Sequence, residues 1–227
     1  AGPAFEGARI NCGSRAVGGA IEGVVVNKDD IDLDVIGNHP PRSICGSGLI
    51  DAVAVMLDLG IIDATGRLAR PGTLADRLPA AILSRLIEQD AQPAFCLYRA
   101  VNVSERDVVL TQQDIRQVQL AKGAIRAGTK LLEKKVGLKD SDIKQIFLAG
   151  AFGNYIRPQS ALRIGLLPAV SAERIRFVGN AASSGAQMAL LSRQCRDKAC
   201  ELARKIEYIE IAYELEFQEV FADSMAF

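Results

Sequence analysis

The sequence predicts an α/β fold, with short strands and helices arranged in layers. The order strand, glycine turn, helix occurs twice in succession. Residues 145–149 form the first predicted strand and lead into the glycine loop 150–154; residues 174–178 form the second and lead into Gly179 and Asn180. Of the 227 residues, 49% are hydrophobic, which is enough to build a buried core. In such folds, ligands bind at the carboxyl ends of the strands.

The first part of the chain, residues 1–45, predicts a glycine-rich opening segment followed by two strands over 23–27 and 31–36. The second strand alternates apolar and acidic residues, the period of a half-buried strand. Residues 46–110 predict a connecting helix over 47–59 and an irregular insertion over 60–105. Glycine and proline interrupt this insertion, and we expect a short helix near 79–89 and a strand near 94–103.

Residues 111–227 predict an α/β lobe that opens with a long helix over 112–136. Thr111 and Asp114 have the spacing of a capping box, and Gly137 suits the left-handed position after the last turn. A short helix from Pro158, a small-residue helix over 181–192 that continues to about 206, a strand over 207–213 and a helix over 217–225 complete the lobe. We expect the strands 145–149 and 174–178 to be buried.

The composition excludes several classes of protein. Basic and acidic residues balance at 27 each, so whole-chain charge gives no support for nucleic-acid or anionic-membrane binding. No apolar run approaches the roughly 20 residues that span a bilayer. Five scattered cysteines predict neither a disulfide framework nor a metal site, and favour the reducing cytoplasm. The single histidine, His39, lies in a predicted loop and is interpreted as solvated.

The glycine loop is the first candidate binding site. Gly150 and Gly153 follow a strand directly, with Ala151, Phe152 and Asn154 beside them. Glycine permits positive φ and lets a ligand approach the backbone, so a nucleotide can lie across such a turn. An ordinary strand-to-helix turn explains the same spacing, since neither a Walker lysine nor a Rossmann glycine triplet accompanies it.

Small residues begin two predicted helices, one with Gly46 and Ser47 and the other with Gly179 and Asn180. Two such helix starts can cross at short distance in an interdomain hinge, although a tight core contact explains them equally well. On the helix 112–136, Gln119, Lys122 and Arg126 lie on or near one side and can face a nucleotide at the loop. A solvated face is the alternative.

Three carboxylates, Asp51, Glu6 and Asp114, lie nearest to glycine-rich segments. Glu6 lies between Gly2 and Gly7 and is the one candidate for a catalytic role, reaching a ligand or a water. Asp114 is explained as a helix cap.

Taken together, these segments resemble the C-terminal actin-like ATPase domain of reductive activators of corrinoid-dependent methyltransferases. The resemblance covers nearly the whole chain and rests on the order of its motifs, which read GPAFEGA (2–8), ICGSGLIDA (44–52), LTQ (110–112), QLAKGAIRAG (119–128), LAGAFGN (148–154) and GNAA (179–182).

The resemblance implies an actin-like, ribonuclease H-like ATPase fold, mainly one lobe of it. The loop 148–154 would be the adenosine motif, and the helices that start at Gly46 and Gly179 would be the two connecting helices of the hinge. ATP with Mg²⁺ would drive reduction of cob(II)alamin to cob(I)alamin on a partner corrinoid protein, using an electron from an upstream ferredoxin-like domain with a 2Fe-2S cluster. A homodimer through other domains is also possible on this interpretation.

Asp-Gly-Thr phosphate turns are absent from the sequence, so we expect them upstream of Ala1, with the native C-terminus at Phe227. On that expectation the chain alone hydrolyses ATP poorly or not at all. Two other functions stay open: a non-catalytic module that docks the corrinoid protein, and an activator of a radical dehydratase. The second requires paired cysteines for a 4Fe-4S cluster, which the scattered cysteines argue against. No substrate motif supports a small sugar or acid kinase.

Overall fold

The computed structural model of the protein describes residues 2–103, 105–150 and 155–227. Its first sheet contains β1 (Ala20–Asn27), β2 (Asp30–Val35) and β3 (Ser43–Ile44) in the order β2-β1-β3. The strands β1 and β2 form an antiparallel hairpin, and β3 pairs with β1 in parallel. Both strands predicted in this part of the chain are confirmed.

Helix α1 (Gly46–Asp58) packs directly on β1 and is buried along almost its whole length. A side chain at Gly48 would collide with the carbonyl oxygen of Ile21, so glycine allows the helix to approach the strand this closely. The predicted small-residue helix over 47–59 is confirmed. The strand that the small residues of α1 approach closely is β1, in the core.

The second sheet consists of three antiparallel strands, β4 (Leu86–Gln89), β5 (Gln92–Tyr98) and β6 (Val108–Thr111), and helix α2 (Ala80–Arg85) precedes it. The helix predicted near 79–89 is therefore shorter than expected, because residues 86–89 pair with β5 as a strand. Arg85 joins this sheet to the first one through two hydrogen bonds of 2.6 and 2.7 Å to Asp30.

Helix α3 (Gln112–Val136) begins and ends as predicted. The hydroxyl of Thr111 accepts from the backbone N–H of Asp114 at 3.3 Å, and the Asp114 carboxylate accepts from the N–H of Thr111 at 2.8 Å. Gly137 ends the helix with φ of +70°. Local signals thus fix both ends of the longest helix.

The third sheet pairs β7 (Ile146–Leu148) with β8 (Ile175–Phe177) in parallel, and α4 (Pro158–Arg163) lies between them in sequence. The prediction that both strands are buried is wrong for most of their length: Phe147 is 58% and Phe177 40% exposed, and only Ile175 is buried. Within the described part of the chain β7 pairs with β8 alone, so no further strand covers this sheet.

The last part of the chain forms α5 (Ala181–Leu191), α6 (Arg193–Lys205) and α7 (Phe217–Met225). The predicted continuous helix to about 206 breaks at Ser192, which adopts an extended backbone and caps α6 by accepting from the N–H of Cys195. The strand predicted over 207–213 is wrong, because residues 207–210 pair with no strand and a single turn of 3-10 helix forms at Ile211–Tyr213. Helix α7 is confirmed and packs on α3.

One cluster of buried side chains runs from Ala4 to Leu166, through all three segments that the sequence delimits. Helices α5 and α6 contribute no buried residue to it. Among the described residues, no helix is both long enough and apolar enough to cross a membrane.

Candidate nucleotide-binding site

The glycines that follow β7 and β8 lie side by side. The backbone N–H of Gly150 donates to the carbonyl of Gly179 at 2.8 Å, and the N–H of Val178 donates to the carbonyl of Leu148 at 3.0 Å. Both glycines have positive φ, +95° and +65°, and a side chain added at either would meet no atom of the described residues within 4 Å. The ends of the two parallel strands thus place two glycine backbones side by side, and glycine lets a ligand approach the backbone at the carboxyl ends of strands.

Asn180 begins helix α5 directly after this pair. Its side-chain oxygen accepts from the N–H of Ser183 at 3.1 Å, so its amide caps the helix. The other predicted loop residues, Ala151, Phe152, Gly153 and Asn154, lie outside the described residues.

A second group of predicted residues meets at a cleft of about 280 Å³. Glu6, Gly46 and Ser47 line it, together with Tyr155, the first described residue after the loop. Small-molecule sites usually have volumes of about 300–1,000 Å³, so this cleft suits part of a nucleotide. The structure therefore brings Glu6 to the start of α1, which sequence spacing alone did not predict.

Glu6 reaches the cleft because a short 3-10 helix, Pro3–Glu6, positions it. Phe5 is buried in the core and anchors this turn, while Glu6 is exposed. Gly7 ends the turn with φ of +83°, and a side chain there would collide with the backbone of Ser14. Only glycine fits this position, so the GPAFEG motif acts as a fixed support for the carboxylate.

The two small-residue helix starts do not resemble each other in the structure. Gly46 and Ser47 are buried, and Ser47 shares a contact of 3.4 Å with the thiol of Cys45. The start of α5 is exposed, and nothing lies within 4 Å of a side chain added at Gly179 or Gly185. The expectation of two tightly packed helix starts is therefore met only at α1.

Helix α1 also carries a buried carboxylate, Asp51, which is 2% exposed. Burial raises the pKa of Asp51 above its usual value, and the neighbouring Ser160 hydroxyl and Arg157 guanidinium oppose this rise. One carboxylate oxygen, Oδ1, has no hydrogen-bond partner among the described residues.

The three predicted residues on α3 have partners within the chain. Gln119 donates to the carbonyls of Thr65 at 2.9 Å and Met225 at 3.1 Å. Lys122 is 2% exposed and donates to the carbonyl of Ala226, with its ammonium 5.2 Å from the centre of the Phe227 ring. Two of these side chains therefore hold the last residues of the chain against α3.

Arg126, the third of these residues, binds both carboxylate oxygens of Asp140 at 2.5 and 2.6 Å. It also lies 3.4 Å from Glu133. This bidentate pair joins α3 to the segment before β7. The part of Gln119, Lys122 and Arg126 in nucleotide binding stays a prediction.

A larger groove of about 870 Å³ lies at the start of α3, where Gln119 lines it together with Arg9, Arg67 and Arg116. Two of the residues that line this groove are hydrogen-bonded to each other: the Asp114 carboxylate accepts from the backbone N–H of Asn11 at 2.7 Å. Of the predicted site residues, the groove contains Gln119 alone, whereas the smaller cleft contains Glu6, Gly46 and Ser47. We therefore take the cleft as the candidate nucleotide site.

Sequence reasoning missed Tyr155 and Arg157, which follow the glycine loop. Tyr155 lines the cleft, and the guanidinium of Arg157 lies 3.3 Å from Asp51. Their only sequence signal is an aromatic and a basic residue directly after the loop, a pattern common to many surface turns.

Comparisons with known proteins identify the family and the fold. A family model described as the C-terminal domain of RACo, the ASKHA domain, matches residues 1–227. Over 222 residues the chain is 39% identical to the corrinoid activation enzyme RamQ of Eubacterium limosum, covering 97% of this chain and 37% of that protein. It is 28% identical over 217 residues to the Co(II) methylated amine-specific corrinoid protein reductase of Methanosarcina barkeri, covering 91% of this chain and 37% of that protein.

Among solved structures, a reductive activator for corrinoid, iron-sulfur protein matches with a TM-score of 0.85 and 36% identity. The match covers 100% of this chain and 35% of that one. The chain thus spans little more than a third of the length of the relatives it matches. The expected actin-like ATPase fold is confirmed.

Proposed function

The chain belongs to the family of the C-terminal ASKHA domain of RACo, and from this premise we propose that it is the ATPase part of a protein that reductively activates a corrinoid protein. The relatives named as a corrinoid activation enzyme and as a corrinoid protein reductase support the proposal. The single observation that carries it is the family match over all 227 residues.

We propose that ATP lies between the strand ends and the cleft. Gly150, Gly179 and Asn180 would contact the adenosine through backbone and amide groups, with Ala151, Phe152, Gly153 and Asn154 contributing the rest of the loop. Two observations support this fit: the pairing of the two strand-end glycines, both with positive φ, and the cleft that Tyr155 lines.

At the cleft, Gly46 and Ser47 would approach the nucleotide at the start of α1. Glu6 would contact a water or the Mg²⁺ that accompanies nucleotide phosphates, since Mg²⁺ prefers carboxylate and phosphate oxygens. Support comes from its exposed carboxylate and the rigid turn behind it. When bound, ATP would supply the free energy of hydrolysis; the residues of this chain bind and orient it.

The partner would be a corrinoid protein of a methyltransferase or O-demethylase system in the cytoplasm. A 2Fe-2S domain elsewhere in the full-length protein would supply the electron for cob(II)alamin. ATP would couple to this reduction by favouring one arrangement of the ATPase lobes, because a ligand shifts a conformational equilibrium only by its differential affinity for the two states.

Two calorimetric titrations of the full-length protein test this function, one with ATP and Mg²⁺ and one with a cob(II)alamin-loaded corrinoid protein. We expect binding in both, with ATP altering the affinity for the corrinoid protein. Binding of the corrinoid protein without any binding of ATP would contradict the ATPase assignment and support a docking module. Binding of neither would contradict both.

A further inference from the structure

The cleft has two walls that come from distant parts of the sequence. Among the described residues that line it, Tyr155 follows the glycine loop, and all others lie between Phe5 and Ser47. The width of the cleft therefore depends on what fixes residue 155 relative to the first wall. Arg157, two residues after Tyr155 in sequence, forms the nearest hydrogen bond and ion pairs between this part of the chain and the residues around the first wall.

Arg157 contacts three elements, of which α1 and β1 contribute residues to the first wall. Its Nη1 lies 3.3 Å from Oδ2 of Asp51 on α1 and donates to the carbonyl of Val24 on β1 over 3.3 Å. Its Nη2 lies 3.5 Å from Oδ2 of Asp34 on β2. One guanidinium thus bridges the residues after the loop to a helix and both strands of the hairpin.

Asp51 connects this bridge to the cleft itself. It follows Ser47 by four residues on α1, so the two side chains are neighbours on one face of the helix. Its carboxylate is 2% exposed, and Arg157 is the one cation that forms an ion pair with it among the described residues. Without Arg157 a buried charge would lose its partner, which is strongly unfavourable.

Gly23 on β1 makes room for the same guanidinium. A side-chain carbon added at Gly23 would lie 2.8 Å from Nη2 of Arg157 and 3.1 Å from the side chain of Asp34. The glycine has no positive φ to explain it. The absent side chain at Gly23 therefore leaves room for the guanidinium of Arg157 beside Asp34.

We propose that Arg157, held by Asp51, is a positioning residue that sets the width of the nucleotide cleft by fixing Tyr155 against the start of α1. This inference rests on the proposed nucleotide site. In a catalytic site, a displacement of about 1 Å can lower the rate by about a hundredfold, so a residue that fixes the cleft wall can affect function without touching the ligand.

The matched control is Arg163, six residues later on α4, which pairs with Asp58 at the other end of α1. Both arginines join α4 to α1, but only Arg157 adjoins the cleft wall. In the full-length protein, we expect Arg157→Gln to weaken ATP binding by about tenfold or more and Arg163→Gln by less than about twofold. In Gly23→Ala, Arg157 is kept but the added methyl group displaces its guanidinium. This variant should weaken ATP binding by a factor between those of the two arginine variants.

Hydrogen exchange without nucleotide tests the clamp independently of the proposed function. The amides of residues 155–163 should exchange faster in Arg157→Gln than in Arg163→Gln, while those of α3 stay unchanged. If Arg157→Gln does not fold, the Asp51→Asn, Arg157→Gln double variant replaces it, because it leaves no unpaired buried charge. Equal exchange, or equal loss of ATP affinity, in the Arg157 and Arg163 variants would overturn the proposal.

Different results would contradict the proposed function and the proposed role of Arg157. If the unmodified protein binds no ATP, the proposed function fails, and faster exchange in Arg157→Gln would still support the clamp. If Arg157→Gln and Gly23→Ala bind ATP with the same affinity as the unmodified protein, Arg157 does not set the width of the cleft. The proposed nucleotide site is then not contradicted.

Discussion

The backbone N–H of Gly150 donates to the carbonyl of Gly179 over 2.8 Å, which joins the ends of the two parallel strands β7 and β8. Each glycine has a positive φ that a residue with a side chain adopts at a cost. Within the part of the chain that the structure describes, nothing lies within 4 Å of a side chain added at either glycine. The pair therefore combines backbone conformations that favour glycine with room for a ligand, as expected for the adenosine side of a nucleotide site.

Alanine at either glycine tests this assignment. Gly150→Ala and Gly179→Ala should each destabilise the fold by about 1–2 kcal/mol through backbone strain, and should weaken ATP binding by about tenfold (about 1.4 kcal/mol) or more because the bare backbone is lost. Urea denaturation and calorimetry measure the two effects.

Gly137→Ala is the matched control, since Gly137 has φ of +70° and open space but ends α3. It should lose similar stability and keep its affinity for ATP. An equal loss of affinity in all three variants would show that strain, and not contact with the ligand, explains the effect.

Lys122 predicts a pH dependence of stability. Burial, with smaller contributions from Lys130 and Arg126, lowers its pKa from 10.5 to about 8. Between these values the unfolded chain binds more protons than the folded one, so the contribution of Lys122 to stability rises with pH from about 8 to 10.5.

The comparison protein for this titration is Lys122→Met, which has no titrating group at the position. The free energy of unfolding, measured in urea at several pH values, should rise relative to this variant above about pH 8. It should differ by a constant amount at lower pH. A difference that falls as the pH rises would contradict the burial of a lysine with lowered pKa.

The capping box of α3 predicts unequal effects for its two residues. Thr111→Ala should cost about 1 kcal/mol, the usual value for a lost helix cap. Asp114→Ala should cost about 2–3 kcal/mol, because the buried carboxylate also accepts from the N–H of Asn11, which would lose its partner. Chemical denaturation measures both, and equal losses would contradict a role of Asp114 beyond the cap.

A substitution at Arg126 tests whether the basic face of α3 stabilises the fold or binds the nucleotide. Its bidentate pair with Asp140 predicts that Arg126→Gln destabilises the protein by about 2 kcal/mol. If this pairing is the whole role of the guanidinium, ATP affinity should change by less than about twofold (about 0.4 kcal/mol). A tenfold loss of affinity, with stability unchanged, would instead assign Arg126 to the nucleotide.

The sequence predicts best those features that local physical chemistry determines. The ends of α3 follow from Thr111, Asp114 and Gly137, because a cap and a left-handed glycine act within a few residues. The sequence pattern does not predict the break at Ser192, because a serine within a helical pattern is interpreted as solvent-exposed. In the structure this serine caps the next helix. The strand expected over 207–213 was wrong, because strand propensity depends on a pairing partner that the pattern does not reveal.

The candidate site depends on contacts that span the chain and so was predicted only in part. The motif order predicts Gly150, Gly179 and Gly46 as site residues, but spacing does not show that Glu6 and Tyr155 share one cleft. The link between Asp51 and Arg157 spans 106 residues of sequence, and neither residue type is unusual where it stands. Such pairs emerge only when the helices and strands are packed together.

The most direct test of the central claim is the ATP-dependent reduction of a cob(II)alamin-loaded corrinoid protein by the full-length protein, followed by the absorbance of cob(I)alamin. An added reductant that reduces the 2Fe-2S domain but not cob(II)alamin itself supplies the electrons. We expect reduction in the unmodified protein and in Gly137→Ala only when ATP and Mg²⁺ are present, and little or none in a Gly150→Ala, Gly179→Ala double variant that stays folded. Reduction at the same rate without ATP, or an unimpaired double variant, would contradict the account.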